Sequence, residues 1–279
     1  VTNTSDAKSR KLIRYHKREN NNAIIVVCGC SAQNKQEELL DLGIDILIGN
    51  KEKSKIVELI NNYIKSHEKY VYFTNSRKLE FEDMKVDKFI NQTRAYIKIQ
   101  DGCNNFCSYC IIPFMRGNIR SKDINEVIKE AKTLVKNGHQ EIVLTGIDTG
   151  SYGKDKTYDL TDLLNELVKI NDLKRIRLSS IDTFDLDDKF IDCLKNNDKI
   201  CDHLHISLQS GSDKILKNMN RKYNTQEYLD IINKIRSVRP NISITTDVIV
   251  GFPLESDTDF EDCVNFVKKV KFSKVHVFP

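Results

Sequence analysis

Apolar residues recur along this chain in two rhythms. Near the amino terminus a β-branched run over 24–28 reads as a buried strand, 34–42 as a short helix and 45–48 as a second strand. Over 51–65, Ile56, Leu59, Ile60 and Ile64 fall at helical spacing on one face. Together these predict a small parallel α/β unit over 1–66. Residues 67–92 are polar and mixed and read as a linker with room for a short hairpin. From 93 to 279 the alternation lengthens. Strands are predicted at 95–100, 141–145, 174–179, 203–208, 243–250 and 273–278, and helices at 123–137, 160–170, 186–196, 225–237 and 257–269. Six strand–helix repeats of this length predict a curved parallel sheet, a partial (β/α)6 barrel in an α/β protein.

The 279 residues are 39% hydrophobic and 30% charged, as in a soluble globular protein. No run approaches the roughly 18 apolar residues of a membrane span, and no secretory leader is visible. The chain opens on Val1 and stops at Pro279 just after a strand-like run, so it reads as an excerpt of a longer protein. Eight cysteines without secretory features fit a reducing, cytoplasmic setting and metal binding better than a disulfide scaffold. Cys193 and Cys263 fall in apolar helical patterns and are expected in the core, as is Cys28 at the end of the first strand. The net charge of +4 is mild. Its distribution is less even: Lys8, Arg10, Lys11, Arg14, Lys17 and Arg18 fall close together, and Arg116, Arg120 and Lys122 form a second group. Each group is either a solvated face or a set of phosphate contacts.

The second basic group follows the most informative run, Gly102-Cys103-Asn104-Asn105-Phe106-Cys107-Ser108-Tyr109-Cys110. Three thiolates at this spacing can hold three irons of a 4Fe–4S cluster. Such clusters usually take four cysteines, so the fourth iron is left open for another ligand. A buried cysteine stripe on a helix is the plain alternative, but Gly102, Asn104, Asn105 and Pro113 suit a loop. A zinc site is the other alternative; it calls for four ligands, often as two Cys-x-x-Cys pairs, and no fourth Cys or His lies close by in sequence.

Cys103-x-x-x-Cys107-x-x-Cys110 after the first strand of a partial barrel resembles the radical S-adenosylmethionine (SAM) superfamily. The stretch Lys98-Ile99-Gln100-Asp101-Gly102, then Ile111-Ile112-Pro113, Arg116-Gly117 and Arg120-Ser121, resembles its methylthiotransferases. So do Leu144-Thr145-Gly146-Ile147-Asp148, Ser179-Ser180-Ile181-Asp182, the run from His203 to Gly211, Met219-Asn220-Arg221 and the run from Thr246 to Pro253. The chain is most similar to the bacterial tRNA threonylcarbamoyladenosine methylthiotransferases. Residues 1–66 then correspond to the carboxy-terminal part of that family's amino-terminal domain. There, three cysteines hold a second 4Fe–4S cluster; Cys30 in Gly29-Cys30-Ser31-Ala32-Gln33 matches the third, and the other two would precede Val1. Leu254 stands where the family has glycine.

The resemblance implies a methylthiotransferase that adds a methylthio group to C2 of N6-threonylcarbamoyladenosine, next to the tRNA anticodon. The same chemistry on isopentenyladenosine in tRNA or on a ribosomal-protein aspartate is the nearest alternative; a non-catalytic iron–sulfur or RNA-binding module is one of another class. The implied cofactors are a 4Fe–4S cluster with one open iron on Cys103, Cys107 and Cys110, SAM, and a second cluster in the full-length protein. The implied partners are a tRNA anticodon stem-loop and an electron donor such as flavodoxin or ferredoxin, with no membrane. Tyr109, Gly146, Ser180, Gln209, Arg221, Val250 and Gly251 are the expected SAM contacts, Arg221 as the partner of its carboxylate. Arg116, Arg120 and Lys122 are the expected RNA contacts. His203 and His205 are expected to point to opposite sides of their strand, and neither is assigned as a ligand.

Overall fold

A computed structural model describes residues 3–73 and 80–279, which fall into two compact units. The first comprises 3–73, 80–84 and 111–118; the second comprises 85–110 and 119–279.

In the first unit, β1 (Val26–Cys28), β2 (Ile46–Ile48) and β3 (Tyr70–Tyr72) form a parallel sheet in that order. The central strand is buried on both faces, as an apolar run without alternation requires. Leu47 packs with Ile13, Ala32, Leu39 and Ile44 on one side, and Ile46 and Ile48 pack with Leu59 on the other. Helix α1 (Asn3–Glu19) supplies Ile13, and α4 (Ile56–Ser66) supplies Leu59. Between them lie two short helices, α2 (Cys30–Asn34) and α3 (Gln36–Leu40). Asp45, almost fully buried, takes hydrogen bonds from Lys17 Nζ at 2.9 Å, Ile25 N–H at 2.8 Å and Tyr63 Oη at 2.8 Å. Burial opposes its ionisation, but these donors hold its pKa below the ordinary carboxylate value. Strand β3 lies where a linker was expected; residues 74–79 of that stretch lie outside the described residues.

The second unit matches the predicted rhythm within a few residues. Strands β4 (Arg94–Lys98), β7 (Glu141–Thr145) and β8 (Arg175–Leu178) pair in parallel. Strand β9 (Ser180–Ile181) continues β8 past Ser179 and pairs with β10 (His203–Ile206), which leads to β11 (Ser243–Ile249) and β12 (Lys274–Phe278). The result is the six-strand parallel path of a partial barrel. Helices α6 (Ile124–Lys136), α7 (Leu160–Leu167), α8 (Asp188–Asn196), α10 (Thr225–Val238) and α11 (Asp257–Val270) connect the strands. Their start points are set by side-chain caps: Asp159, Asn224 and Ser256 each close a capping box. One apolar core joins Ile97, Ile142, Ile176, Leu204 and Ile244 of the strands to helix residues such as Leu134, Leu164, Leu194 and Ile232. Cys193 and Cys263 are in this core, as expected.

Two local features depart from the sequence reading, and a third accords with it. Cys28 is exposed, because it ends β1, an edge strand of the first sheet. His203 and His205 share one face, as residues two apart on a strand must, and both reach Thr245 Oγ1, at 3.2 and 3.0 Å. Leu254 has φ +71°, the left-handed conformation that glycine adopts freely.

Candidate functional site

The cysteine loop leaves the barrel through the two-residue strand β5 (Gln100–Asp101), antiparallel to β6 (Arg120–Ser121). Gln100 is fully buried and organises the loop. Its Nε2 donates to the carbonyls of Asp101 at 3.1 Å and Gly102 at 2.7 Å. Its Oε1 accepts from the N–H groups of Ile147 at 3.0 Å and Asp148 at 2.9 Å. One side chain thus ties the first cysteine's approach to the turn after β7. Gly146 makes room for it, since a Cβ there would lie 2.9 Å from Gln100 Oε1.

Further along, the loop is fastened to the end of α9 (Asp213–Asn218). Ser108 N–H donates to Met219 O at 3.1 Å, Ser108 Oγ to Asn218 O at 2.8 Å, and Asn220 Nδ2 to Phe106 O at 2.9 Å. Phe106 takes a positive φ of +49°, and Cys110 N–H donates back to Cys107 O at 2.9 Å. The resulting turns leave Cys103, Cys107 and Cys110 half-buried and outside any disulfide.

Charged groups surround the thiols. Cys103 Sγ lies 3.8 Å from Asp148 Oδ2. Asn105 Nδ2 reaches Asp148 at 3.1 Å and Asp182 at 3.5 Å. Arg221 Nη1 points at Cys107 Sγ from 3.4 Å, its Nη2 pairs with Asp182, and its Nε donates to Tyr223 Oη at 3.1 Å. Burial, with Asp148, Cys107 and Cys110 nearby, pushes the Cys103 thiol up to about 12. Burial likewise pushes Asp182 up to about 6, although Arg221 pulls it down.

This donor set fits a cationic cluster. Three thiols beside two carboxylates would, as thiolates, carry excess negative charge that bound iron would neutralise. Among the described residues, the three sulfurs do not fall within the 4.8 Å spacing that brings potential ligands of a single ion together. A lone zinc with bonds of about 2.3 Å would need such spacing; a multi-iron cluster does not.

The expected SAM contacts lie at strand ends, where a parallel barrel gathers its reactive groups. Gly146 follows β7, and Ser180 is exposed on β9, opposite His205 in register. Gln209 has φ +68° and joins β11 through hydrogen bonds with Asp247 O and Ile249 N–H at 2.9 and 2.8 Å. Val250 is half-buried beyond β11, and Gly251 turns there with φ +71°. Tyr109 sets its ring edge-on to Phe252, with centroids 6.5 Å apart. Arg221, expected to pair with the SAM carboxylate, has a buried guanidinium that is paired with Asp182.

In the second basic group, Lys122 and Arg120 are buried and paired. Lys122 is 3% exposed and paired with Glu130 at 2.5 Å; Arg120 is 8% exposed and paired with Asp101 at 3.4 Å. Both cations neutralise buried carboxylates. In the first unit, Arg116 Nε donates to Cys30 Sγ at 3.2 Å, and Asn50 Oδ1 lies 3.6 Å from the same sulfur. By contrast Lys8, Lys11, Arg14 and Arg18 are exposed along α1. The residues missed in sequence are polar: Gln100, Asp148 and Asp182 at or just beyond strand ends, and Asn105 within the cysteine loop. Position at a barrel strand's carboxyl end was the available signal.

The radical SAM superfamily profile matches residues 97–267. A threonylcarbamoyladenosine tRNA methylthiotransferase of Bacillus subtilis is 46% identical, over 100% of this chain and 63% of the relative. Its counterpart in Aquifex aeolicus is 40% identical, over 100% of this chain and 68% of the relative. A tRNA-2-methylthio-N(6)-dimethylallyladenosine synthase of Clostridium tetani is 38% identical over 94% of this chain and 59% of the relative. The chain therefore spans roughly three fifths to two thirds of the length of these relatives. Among solved structures, the radical SAM methyltransferase TsrM from Kitasatospora setae superposes with a TM-score of 0.70 at 15% identity, covering 97% of this chain and 57% of that one, a likeness of fold. With the cysteine loop at the head of a partial parallel barrel, the chain belongs to the radical SAM superfamily and, within it, to the family of the threonylcarbamoyladenosine tRNA methylthiotransferases.

Proposed function

We propose that the intact protein adds a methylthio group to C2 of N6-threonylcarbamoyladenosine next to the tRNA anticodon. The observation that carries this reading is the 46% identity to the Bacillus subtilis enzyme across the whole chain, cysteine loop included. Cys103, Cys107 and Cys110 would hold three irons of a 4Fe–4S cluster. Bound there with SAM, the cluster supplies one-electron cleavage of a sulfonium C–S bond and thus the means to abstract hydrogen from an unactivated carbon.

The chain's own residues hold and shield this chemistry. Gln100 fixes the cysteine loop against the turn after β7. Arg221, held by Asp182, donates toward Cys107 Sγ and so lowers the charge on that thiolate. Gly146, Ser180, Gln209, Val250 and Gly251 line the strand ends where SAM would lie, and Tyr109 with Phe252 forms an aromatic edge for its adenine. Cys30, oriented by Arg116, is the one auxiliary-cluster ligand within this chain; the second cluster and a flavodoxin- or ferredoxin-type donor belong to the intact enzyme. Phosphate contacts with the anticodon stem-loop pass to Lys8, Lys11, Arg14 and Arg18 of α1. A cytoplasmic location accords with a tRNA substrate, and no described helix is long and apolar enough to cross a membrane.

The identity to the Clostridium tetani relative favours dimethylallyladenosine as the second reading. Nucleoside mass analysis of tRNA from cells with and without the full-length protein decides between them. Deletion is expected to remove 2-methylthio-threonylcarbamoyladenosine and leave its unthiolated precursor. Loss of the dimethylallyl product instead supports the second reading, and an unchanged profile refutes both.

A further inference from the structure

The barrel sheet carries a second set of ligand-type side chains, distinct from the cysteines. His205 on β10 sits between Leu204 and Ile206, both buried in the core with Tyr228 and Ile232 of α10. It must therefore point to the sheet face away from the helices. Asp247 on β11, flanked by buried Thr246 and Val248, points the same way, and His276 on β12 lies opposite Asp247 in register. His205 Nε2 is 3.2 Å from Asp247 Oδ2, and His276 Nδ1 is 3.4 Å from Asp247 Oδ1. The ligand atoms of all three residues lie within 4.8 Å of one another.

Two properties set this group apart from a chance cluster. Each imidazole nitrogen lies 3.2–3.4 Å from one oxygen of the Asp247 carboxylate, so the carboxylate sits between two nitrogens with both oxygens placed to share an ion at bonds of roughly 2.1 Å. Behind it, Thr245 Oγ1 lies 3.0 Å from His205 Nδ1, and Thr245 is only 9% exposed. With Nδ1–H donated to that oxygen, Nε2 presents its lone pair to the Asp247 side. An imidazole anchored through its second nitrogen is the usual support of a metal ligand. Two imidazoles and one carboxylate suit divalent first-row ions and leave coordination positions for oxygen ligands. The side chains of His205, Asp247 and His276 are 14%, 24% and 44% exposed, so an ion can enter without unfolding.

We propose that His205, Asp247 and His276 form a divalent transition-metal site with open coordination positions, and that Thr245 is its positioning residue. The site is independent of the tRNA reading. A proton is the competing occupant: with His205 Nε2–H and His276 Nδ1–H both donated to Asp247, the trio satisfies itself without metal.

The test uses the full chain, reconstituted anaerobically so that iron and sulfide occupy the cysteines, and then titrated with Mn²⁺ followed by electron paramagnetic resonance. Manganese disfavours thiolates and reports nitrogen–oxygen sites. One equivalent is expected to bind and to be displaced by Zn²⁺. His276→Ala and Asp247→Asn are expected to weaken binding about a hundredfold, and Thr245→Val about tenfold. Because His276 lies on an edge strand and is part-exposed, its variant keeps the test available if a buried substitution fails to fold. Absence of Mn²⁺ and Zn²⁺ binding by the parent, or equal affinity in His276→Ala and Asp247→Asn, overturns the site in favour of the hydrogen-bonded trio.

Discussion

Replacing Gln100 with alanine removes the joint between the cysteine loop and the barrel. Four hydrogen bonds disappear at a fully buried position, at lengths between 2.7 and 3.1 Å. The N–H groups of Ile147 and Asp148 lose their acceptor, and each unsatisfied buried donor costs about 1–3 kcal/mol. The two carbonyls lose a donor as well, while water entering the vacated space recovers part of the loss. A net destabilisation of about 3 kcal/mol follows. At a denaturant slope of about 2 kcal/mol/M, the urea midpoint of the second unit falls by about 1.5 M. The local consequence is sharper, because Gly102 precedes the first cysteine: iron retained per chain after anaerobic reconstitution should drop well below the parent's. Gln100→Glu keeps the shape but sets a carboxylate against the Asp101 and Gly102 carbonyls, so its deficit should grow as pH rises and the carboxyl loses its one donor proton. Parent-like urea midpoints and iron content in Gln100→Ala would refute this account of the loop.

Gly146→Ala drives a Cβ to 2.9 Å from Gln100 Oε1 and should cost about 1–3 kcal/mol by urea titration, an overpacking loss. Leu254→Gly should raise stability by about 0.5–1 kcal/mol: relief of a left-handed leucine is worth about 1–2 kcal/mol, less the entropy glycine adds to the unfolded chain. A lower melting temperature would contradict that. Lys122→Ala removes the ion-pair partner of buried Glu130, so it should cost about 3–5 kcal/mol while leaving the salt dependence of anticodon stem-loop binding unchanged. Asp185, pushed up to about 7 chiefly by burial and next by Asp148, binds its proton more tightly folded than unfolded. Its contribution is therefore full below the ordinary value of 3.8 and lost as pH rises through about 7. Asp185→Asn should flatten stability over that window, by at most about 4 kcal/mol, in denaturant titrations run across pH; an unaltered slope would disprove the assignment.

Much of this protein was legible without coordinates. Five of the six barrel strands, β12 being the exposed one, place apolar residues in the core, and the intervening helices carry one apolar stripe, so local periodicity sufficed to place both. The cysteine spacing named its chemistry because metal ligation constrains residue type and separation within one short loop. Pairings across long sequence separations were not legible. Lys122 and Arg120 read as free basic residues, yet Glu130 and Asp101 bury them. Arg221 read as a clamp, yet Asp182, 39 residues away, already holds it. Tyr70–Tyr72 read as linker, because three half-exposed residues become a strand only when β2 supplies the hydrogen bonds. Cys28 read as core, but its exposure depends on β1 lying at the sheet edge. His205, Asp247 and His276 meet only because three parallel strands fall into register. Periodicity and ligand spacing are local and survive in sequence; charge compensation, edge position and cross-strand register depend on which distant segments become neighbours, and only the tertiary structure decides that.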